Sequence, residues 1–386
     1  MEKDQMTRGG QHDYEIAAYY FPNYHEDRSN GERHGKGWTE WELVKRATPR
    51  FPGHQQPKVP LWGYEDEADP AVMARKIDAA AEHGITSFLF DWYWYKEGPF
   101  LHRALEEGFL RAQNNDRLSF ALMWANHDWE DLHPAKRNPP HAKLSQGAIS
   151  REDFVQATDH MIQHYFSHPS YLRVNGGLYL SIYELMSLIK GFGGSLETTR
   201  DILQDLRRRV REAGLGELHL NAVVWGIQAL PSEEKIADVN GYMERLGFDS
   251  VTSYIWVHHQ PMPDFPATDY AAFREVNQGD FTKFTEEYRV PYFPNVTMGW
   301  DPSPRTVQSE VYDEVGYPYT PVLVDNTPDE FRKALKAVKR FLDSASTVPK
   351  LFTINAWNEW TEGSYLEPDT VNGMGYLNAI KEVFKR

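Results

Sequence analysis

Residues 71–94 read AVMARKIDAAAEHGITSFLFDWYW. An amphipathic stretch at helical period over 71–83 gives way to a strand-like run at 86–90, which ends in an acid set among aromatic rings, Asp91-Trp-Tyr-Trp94. The same alternation runs through the chain. Strand candidates fall at 16–20, 86–90, 119–124, 178–183, 219–224, 250–255, 292–297 and 351–356. Helix-period stretches fall at 71–83, 101–114, 152–166, 196–213, 232–246, 270–288, 328–344 and 374–384. Eight β-then-α units predict an α/β fold with a parallel sheet, and eight strands close into a (β/α)8 TIM barrel. The rival architecture, a doubly wound open sheet, calls for a glycine-rich phosphate turn after a strand, and none is found.

Helix starts are legible at Asp69-Pro70, at Ser150-Arg-Glu-Asp153 and at Thr327-Pro-Asp-Glu330, where a side-chain acceptor precedes an acidic or proline-led first turn. No Gly/Ser linker, repeat or low-complexity block divides the chain. The expectation is an N-terminal tail, 1–13, followed by one catalytic barrel domain, 14–386. The long loop 23–64 after the first strand is large enough to suggest a lid or a functional role.

Composition narrows the partners. The 386 residues carry a formal net charge of −15, which argues against nucleic acid and anionic membranes, both of which need a basic surface. There is no cysteine, so disulfides, thiolate nucleophiles and Cys-ligated metals are excluded. No run of 18 apolar residues offers a membrane span, so no membrane insertion is expected. The N-terminus has no apolar run of a secretory signal, and the simplest expectation is a cytoplasmic protein. Aromatic residues make up 14% of the chain, with 12 Trp, which suits stacking on the C–H face of a sugar ring as well as a bulky core.

In a TIM barrel the functional site forms at the C-terminal ends of the strands, so its candidates can be named directly. Strand 1 and its loop supply Tyr20, Tyr24, Trp38, Glu40 and Trp41. Strand 2 supplies Asp91, Trp92 and Trp94; strand 3 supplies Trp124, Asn126 and His127, with Trp129 beyond. Tyr183-Glu184 and Trp225 follow strands 4 and 5, and Tyr254, Trp256 and His258-His259 follow strand 6. Strand 7 leads to Trp300, Asp301 and Arg305, and strand 8 to Asn355, Trp357, Asn358 and Trp360. Most of the tryptophans fall in these segments. Trp38, Trp94, Trp129, Trp300 and Trp357 are expected to line one face of the barrel.

The carboxylates decide the chemistry. Glu359 and Glu362 are three apart just past the last strand, and a helical turn there would put both on one face. Two carboxyls held roughly 5 Å apart suit retaining glycoside chemistry. Their repulsion would raise one pKa and keep that group protonated near neutrality. Spacing alone is weak, since most such pairs are solvated helix faces. Trp357 and Trp360 on either side, after a barrel's last strand, turn the reading toward catalysis.

Other residues have bland readings too. Asp91 either orients a sugar hydroxyl or caps a neighbouring loop, and its tryptophans favour function. Asn126, His127 and Asp128 are equally readable as hydroxyl ligands or as partners of loop backbone. Arg305 reads more simply as the partner of a surface acid than of an anionic substrate group. Adjacent His258 and His259 point in different directions, and no H-E-x-x-H or Asp cluster supports them, so neither a metal nor a cofactor is expected.

At Tyr19-Tyr-Phe-Pro-Asn-Tyr-His25, Gly37-Trp-Thr-Glu-Trp41, Gly299-Trp-Asp301 and the ending 355–369, Asn-Ala-Trp-Asn-Glu-Trp-Thr-Glu-Gly-Ser-Tyr-Leu-Glu-Pro-Asp, the chain resembles the WbsX-type family. Its members are named as polysaccharide-biosynthesis glycosyltransferases and are similar to glycoside hydrolase family 99, the endo-α-mannosidases and endo-α-mannanases. The resemblance runs from about residue 14 onward and is most specific at 355–369. It implies that Glu359 assists the substrate 2-hydroxyl and that Glu362 is the general acid/base, in a retaining mechanism through a 1,2-anhydro sugar without metal or nucleotide. The surrounding pocket departs from that family, so mannose specificity is not implied. The expected function is a retaining, endo-type glycoside hydrolase acting on a bacterial poly- or oligosaccharide. A glycosyltransferase is the alternative, against which stand the barrel and the lack of a D-x-D motif beside a nucleotide-binding unit. A sugar-binding barrel without catalysis is the third reading, against which both glutamates count.

Overall fold

A computed structural model describes residues 13–138, 140–225, 238–345 and 349–385. Eight parallel strands run in sequence order around a closed barrel: β1 Glu15–Tyr20, β2 Ser87–Tyr95, β3 Ser119–Trp124, β4 Gly177–Ile182, β5 Leu218–Val223, β6 Ser250–Thr252, β7 in two pieces, Tyr292–Phe293 and Asn295–Thr297, and β8 Leu351–Asn355. β8 pairs with β1 on one side, Ile16 opposite Phe352, and with β7 on the other, Asn295 opposite Thr353. Parallel strands covered on both faces read as unbroken apolar runs, and all nine residues of β2 are buried.

The expected 292–297 strand is split at Pro294, which has no N–H to give. Its first piece pairs with β6, its second with β8, and the Pro294 carbonyl accepts from Thr353 N at 2.9 Å. One short strand thus bends from one neighbour to the other and closes the barrel. β6 stops at Thr252, short of the expected 255, while β2 runs on to Tyr95 and folds back against Gly98–Phe100.

The helices Pro70–Glu82, Arg151–His164, Leu196–Glu212, Tyr270–Glu287, Pro328–Ser344 and Gly375–Phe384 lie where helical period places them. Asp69, Ser150 and Thr327 accept from Ala71 N, Asp153 N and Glu330 N, so the three legible caps are made. The 101–114 stretch differs, forming only the π-wound turn Ala104–Phe109. Leu101 sits at φ 55°, and a Cβ on Gly108 would fall 2.2 Å from the Glu67 carbonyl, so the chain here follows a close backbone contact rather than a regular helix. Of the 232–246 helix, Val239–Leu246 is seen, and 232–237 lie outside the described residues, as do 1–12 of the expected tail.

The 23–64 loop is ordered and carries two short helices, Arg28–His34 and Trp41–Arg46. It is pinned to the loop after β7. Arg50 Nη2 donates to Glu310 O at 2.6 Å, and His54 and Gln56 reach Asp301 Oδ2 at 2.8 and 2.6 Å.

Candidate active site

Past β8 the chain makes a short antiparallel ladder, Asn358–Glu359 against Ser364–Tyr365, around a 3₁₀ turn at Trp360–Glu362. Glu359 ends the first strand of the ladder and Glu362 ends the turn, and both side chains reach the same cleft. Gly363 closes the turn at φ 62°, and a Cβ there would meet Asp301 Cβ at 2.6 Å. Asn358 locks the segment to the end of β1: its Oδ1 accepts from Phe21 N at 2.8 Å and its Nδ2 donates to Phe21 O at 2.7 Å.

Arg305, from a 3₁₀ turn in the loop after β7, is the centre of the charge arrangement. Its Nε donates to Glu40 Oε1 at 3.0 Å, its Nη1 donates to Glu362 Oε1, and its Nη2 lies 3.5 Å from Glu359 Oε1. Burial opposes the guanidinium charge, yet Tyr317 and the glutamates at 40, 362 and 359 more than offset it and hold the pKa above its usual value. Against burial, Arg305, His133 and Thr361 keep the Glu40 carboxyl below its ordinary range. The sequence reading of Arg305 as a surface partner is corrected: its partners are buried, and two of them are the candidate catalytic acids.

Glu362 Oε1 takes a second hydrogen bond from Tyr317 Oη at 2.6 Å. Glu359 Oε2 accepts from Tyr254 Oη at 2.9 Å, and the same hydroxyl lies 3.0 Å from Asp91 Oδ2. Burial, then the Glu362 charge, pushes the Glu359 carboxyl well above the usual carboxylate range, opposed by Arg305 and Tyr254. Asp91 is likewise pushed well up, by burial first. The three acids are 2–6% exposed, enough to face the cleft and too little for water to screen them.

The cleft is about 1240 Å³. Asp91, Tyr93, Tyr254, Glu359, Glu362 and Arg305 form its floor. Trp129 stacks on His133 on one side, Trp225 stacks on His258 at 3.7 Å on another, and Trp300 with Tyr317 forms a third wall. Burial pulls the His133 imidazole down to about 4, so this stacking ring is uncharged at neutral pH. Among the described residues no group of three or more His, Asp or Glu could hold a metal ion. None of their helices is long and apolar enough to cross a membrane.

Of the expected residues, Asp91, His127, Asp128, Trp129, Tyr183, Glu184, Trp225, Tyr254, His258, Trp300, Arg305, Glu359 and Glu362 line this cleft together. The others do not. Strand alternation turns Trp92 and Trp94 outward, because Asp91 and Tyr93 face in: Trp92 packs on Tyr165 and Trp94 on His160. Trp124 faces out for the same reason and stacks on Phe154, as Tyr20 does against Phe90 and the Lys76 ammonium. Trp256 donates to Asn295 O, and Asn355 accepts from Ser364. Trp41 stacks on Tyr24, whose hydroxyl accepts from Thr361 N, and Trp38, half-exposed, stacks on His34. Asn126 pairs with both backbone groups of Glu184, tying the loops after β3 and β4 together. Glu40 and Asp301 are buried behind the floor, holding Arg305 and the His54–Gln56 loop. Of the five tryptophans expected on one face, only Trp129 and Trp300 are in the cleft.

A second buried charge group lies behind the segment that carries the glutamates. Lys76 Nζ contacts Glu67 Oε1 at 2.6 Å and Glu367 Oε1 at 2.5 Å. Glu367 accepts from the indoles of Trp357 and Trp360 at 2.9 and 2.7 Å, and Glu67 accepts from Asn358 at 2.8 Å. The two tryptophans of the glutamate motif are therefore anchors. Tyr317 was missed by the sequence reading, as was the Lys76 group; a lysine on the apolar face of the 71–83 helix was the available signal.

A family model described as glycosyltransferase WbsX matches residues 16–380. The uncharacterized protein WxcX of Xanthomonas campestris pv. campestris is 29% identical over 386 residues, covering 96% of this chain and 50% of the relative, so the chain spans about half the length of the curated relatives it matches. Among solved structures, the family 99 endo-alpha-mannosidase of Bacteroides thetaiotaomicron superposes with a TM-score of 0.57 at 13% identity, over 95% of each chain. A glycoside hydrolase-like protein gives 0.61 at 17%, over 97% of this chain and 95% of that one. At these identities the likeness to solved structures is one of fold, the TIM barrel. The family model spans nearly the whole chain, and the protein belongs to the WbsX family.

Proposed function

We propose that this protein is a retaining glycoside hydrolase that cuts within a bacterial poly- or oligosaccharide. One observation carries the reading: Glu359 and Glu362 face one aromatic-walled cleft and are tied differently, Glu359 to Tyr254 and Glu362 to Arg305 and Tyr317. The cleft volume exceeds the roughly 300–1,000 Å³ of ordinary small-molecule pockets, which suits several sugar rings rather than one.

In the proposed reaction Glu359 takes the proton of the 2-hydroxyl, whose oxygen attacks C1 as the glycosidic bond breaks. Glu362 donates a proton to the departing oxygen from Oε2, its Oε1 being occupied by Arg305 and Tyr317. Water then opens the 1,2-anhydro sugar at C1, giving its proton to Glu362 while Glu359 returns one to O2. Two inversions at C1 leave net retention. The raised pKa of Glu359 makes its carboxylate a stronger base, as removal of an alcohol proton requires.

The reversed assignment, Glu359 as acid and Glu362 as base, is favoured by one observation, that Arg305 donates to Glu362 and lies at 3.5 Å from Glu359. A panel of bacterial polysaccharides with product analysis tests the hydrolase reading; a requirement for a nucleotide sugar would make the protein a transferase, and binding without turnover an inactive barrel. A leaving-group series on the active substrate then assigns the two acids. Glu362→Gln should lose about 10²–10⁴-fold in kcat on poor leaving groups and less on activated aryl groups, whereas Glu359→Gln should impair both alike. The opposite pattern reverses the roles.

A further inference from the structure

Tyr254 stands between two carboxylates and has one proton to give. Its hydroxyl is 3.0 Å from Asp91 Oδ2 and 2.9 Å from Glu359 Oε2, and all three side chains are buried. With both carboxylates ionised, one contact is a hydrogen bond and the other sets lone pairs against each other where the dielectric is low. A single proton on the pair satisfies both contacts: a carboxylic acid donates to the phenol oxygen, and the phenol donates onward.

Arg305 decides which acid holds that proton. Its Nη2 lies 3.5 Å from Glu359 Oε1, whereas Asp91 has no cation in contact among the described residues and its Oδ1 is buried without a hydrogen-bond partner. We propose that Asp91 is held as a neutral carboxylic acid that donates to Tyr254, directing the phenol's proton to Glu359 and leaving Glu359 the ionised member of the pair. Asp91 is then a positioning residue. It fixes the direction of the Tyr254 hydrogen bond and leaves Glu359 Oε1, which has only the long contact to Arg305, open to a sugar hydroxyl. This role builds on Glu359 as the base proposed above. The titratable and charged groups around Asp91 are Tyr19, Tyr93, Tyr183, Tyr254, Glu359, Glu362 and Arg305, from β1, β2 and the ends of β4, β6, β7 and β8. Six of these seven are neutral or acidic. The high pKa values of both Asp91 and Glu359, caused first by burial, agree with one shared proton.

Infrared difference spectroscopy on the whole, ligand-free protein tests the assignment without a substrate. Glu67, raised to about 7, adds a glutamic acid band below that pH, so the spectra belong above it. The expected result is a protonated-carboxyl C=O band that shifts when aspartate carboxyls carry ¹³C, does not shift when glutamate carboxyls do, and is lost in Asp91→Asn. The labelling needs no variant, so a folding failure leaves it intact. A band that follows glutamate labelling and vanishes in Glu359→Gln would put the proton on Glu359 and overturn the proposal, and so would the lack of any such band. On a polysaccharide that the panel finds to be cut, Asp91→Asn, whose amide still donates to Tyr254, should stay within about tenfold of the parent kcat. Asp91→Val should lose more than about a hundredfold with KM little changed. Equal losses in the two variants also overturn it. If no polysaccharide is cut, the hydrolase reading fails while the infrared result stands.

Discussion

Arg305 faces Glu40, Glu359 and Glu362 at once, so its replacement should reach beyond one contact. Arg305→Met leaves buried carboxylates without their cation, and breaking such a pair costs about 3–5 kcal/mol; urea denaturation should show a loss of that order. Arg305→Lys keeps the charge but not the planar fork, so it should recover part of the stability and little of the activity. If both variants melt like the parent, the guanidinium is not the hub described. Asp91 supplies a prediction of pH dependence. An unfolded aspartate ionises near pH 3.9, whereas the folded Asp91 carboxyl keeps its proton well above that. Over that window the native state binds more protons than the unfolded one, so this group lowers stability as pH rises. Asp91→Asn removes the titration, and its Tm relative to the parent should climb from about pH 4 upward; a constant difference would mean an ordinary pKa. Glu359 and Glu362 were legible because an acid pair beside tryptophans after a barrel strand is a chemical pattern. Arg305 was not, since nothing local to Ser303-Pro-Arg305 shows that acids from two other loops converge on it.

The same difference between pattern and contact recurs in the elements. Strands and helices were legible because parallel strands are apolar throughout and their helices have one apolar face. Which way each tryptophan points was not, because it depends on where β2 ends. Read as stopping at Phe90, Asp91-Trp-Tyr-Trp94 is a loop with rings facing any direction. Continued to Tyr95, it alternates, and both tryptophans turn to the helix layer. The break of β7 at Pro294 was visible as a proline, but its use to change pairing partner was not. The 3₁₀ turn that carries the glutamates depends on Gly363. Gly363→Ala places a Cβ 2.6 Å from Asp301 Cβ at a positive φ, so the turn must move. Soluble Gly363→Ala protein should lose more than about a hundredfold in activity with far-UV circular dichroism unchanged, because a displacement near 1 Å at a reacting group is enough for that. Unchanged activity would show that the turn does not set the acids.

At the scale of the whole molecule, each buried cation of the site is shared by several carboxylates. Arg305 serves the cleft and Lys76 serves the anchors behind it, each with its own carboxylates. Among the described residues no group of three or more His, Asp or Glu is placed to hold a divalent cation. Exhaustive EDTA treatment should therefore leave turnover on the active polysaccharide within about twofold, and added Mg²⁺ or Mn²⁺ should not raise it. Reversible loss on chelation would contradict the proposed mechanism and favour a metal-dependent transferase.

The position of β8 between β7 and β1 also has a consequence during synthesis. A chain leaving the ribosome exposes β1 early, with one edge unpaired, and that edge is covered only when β8 arrives after the other seven strands. Both glutamates follow β8 directly, and the Arg305 and Asn358 contacts that hold them join them to loops already made. Closing the barrel and bringing the two glutamates to the cleft are therefore one event, and a nascent or truncated chain carries an open sheet edge without an assembled cleft.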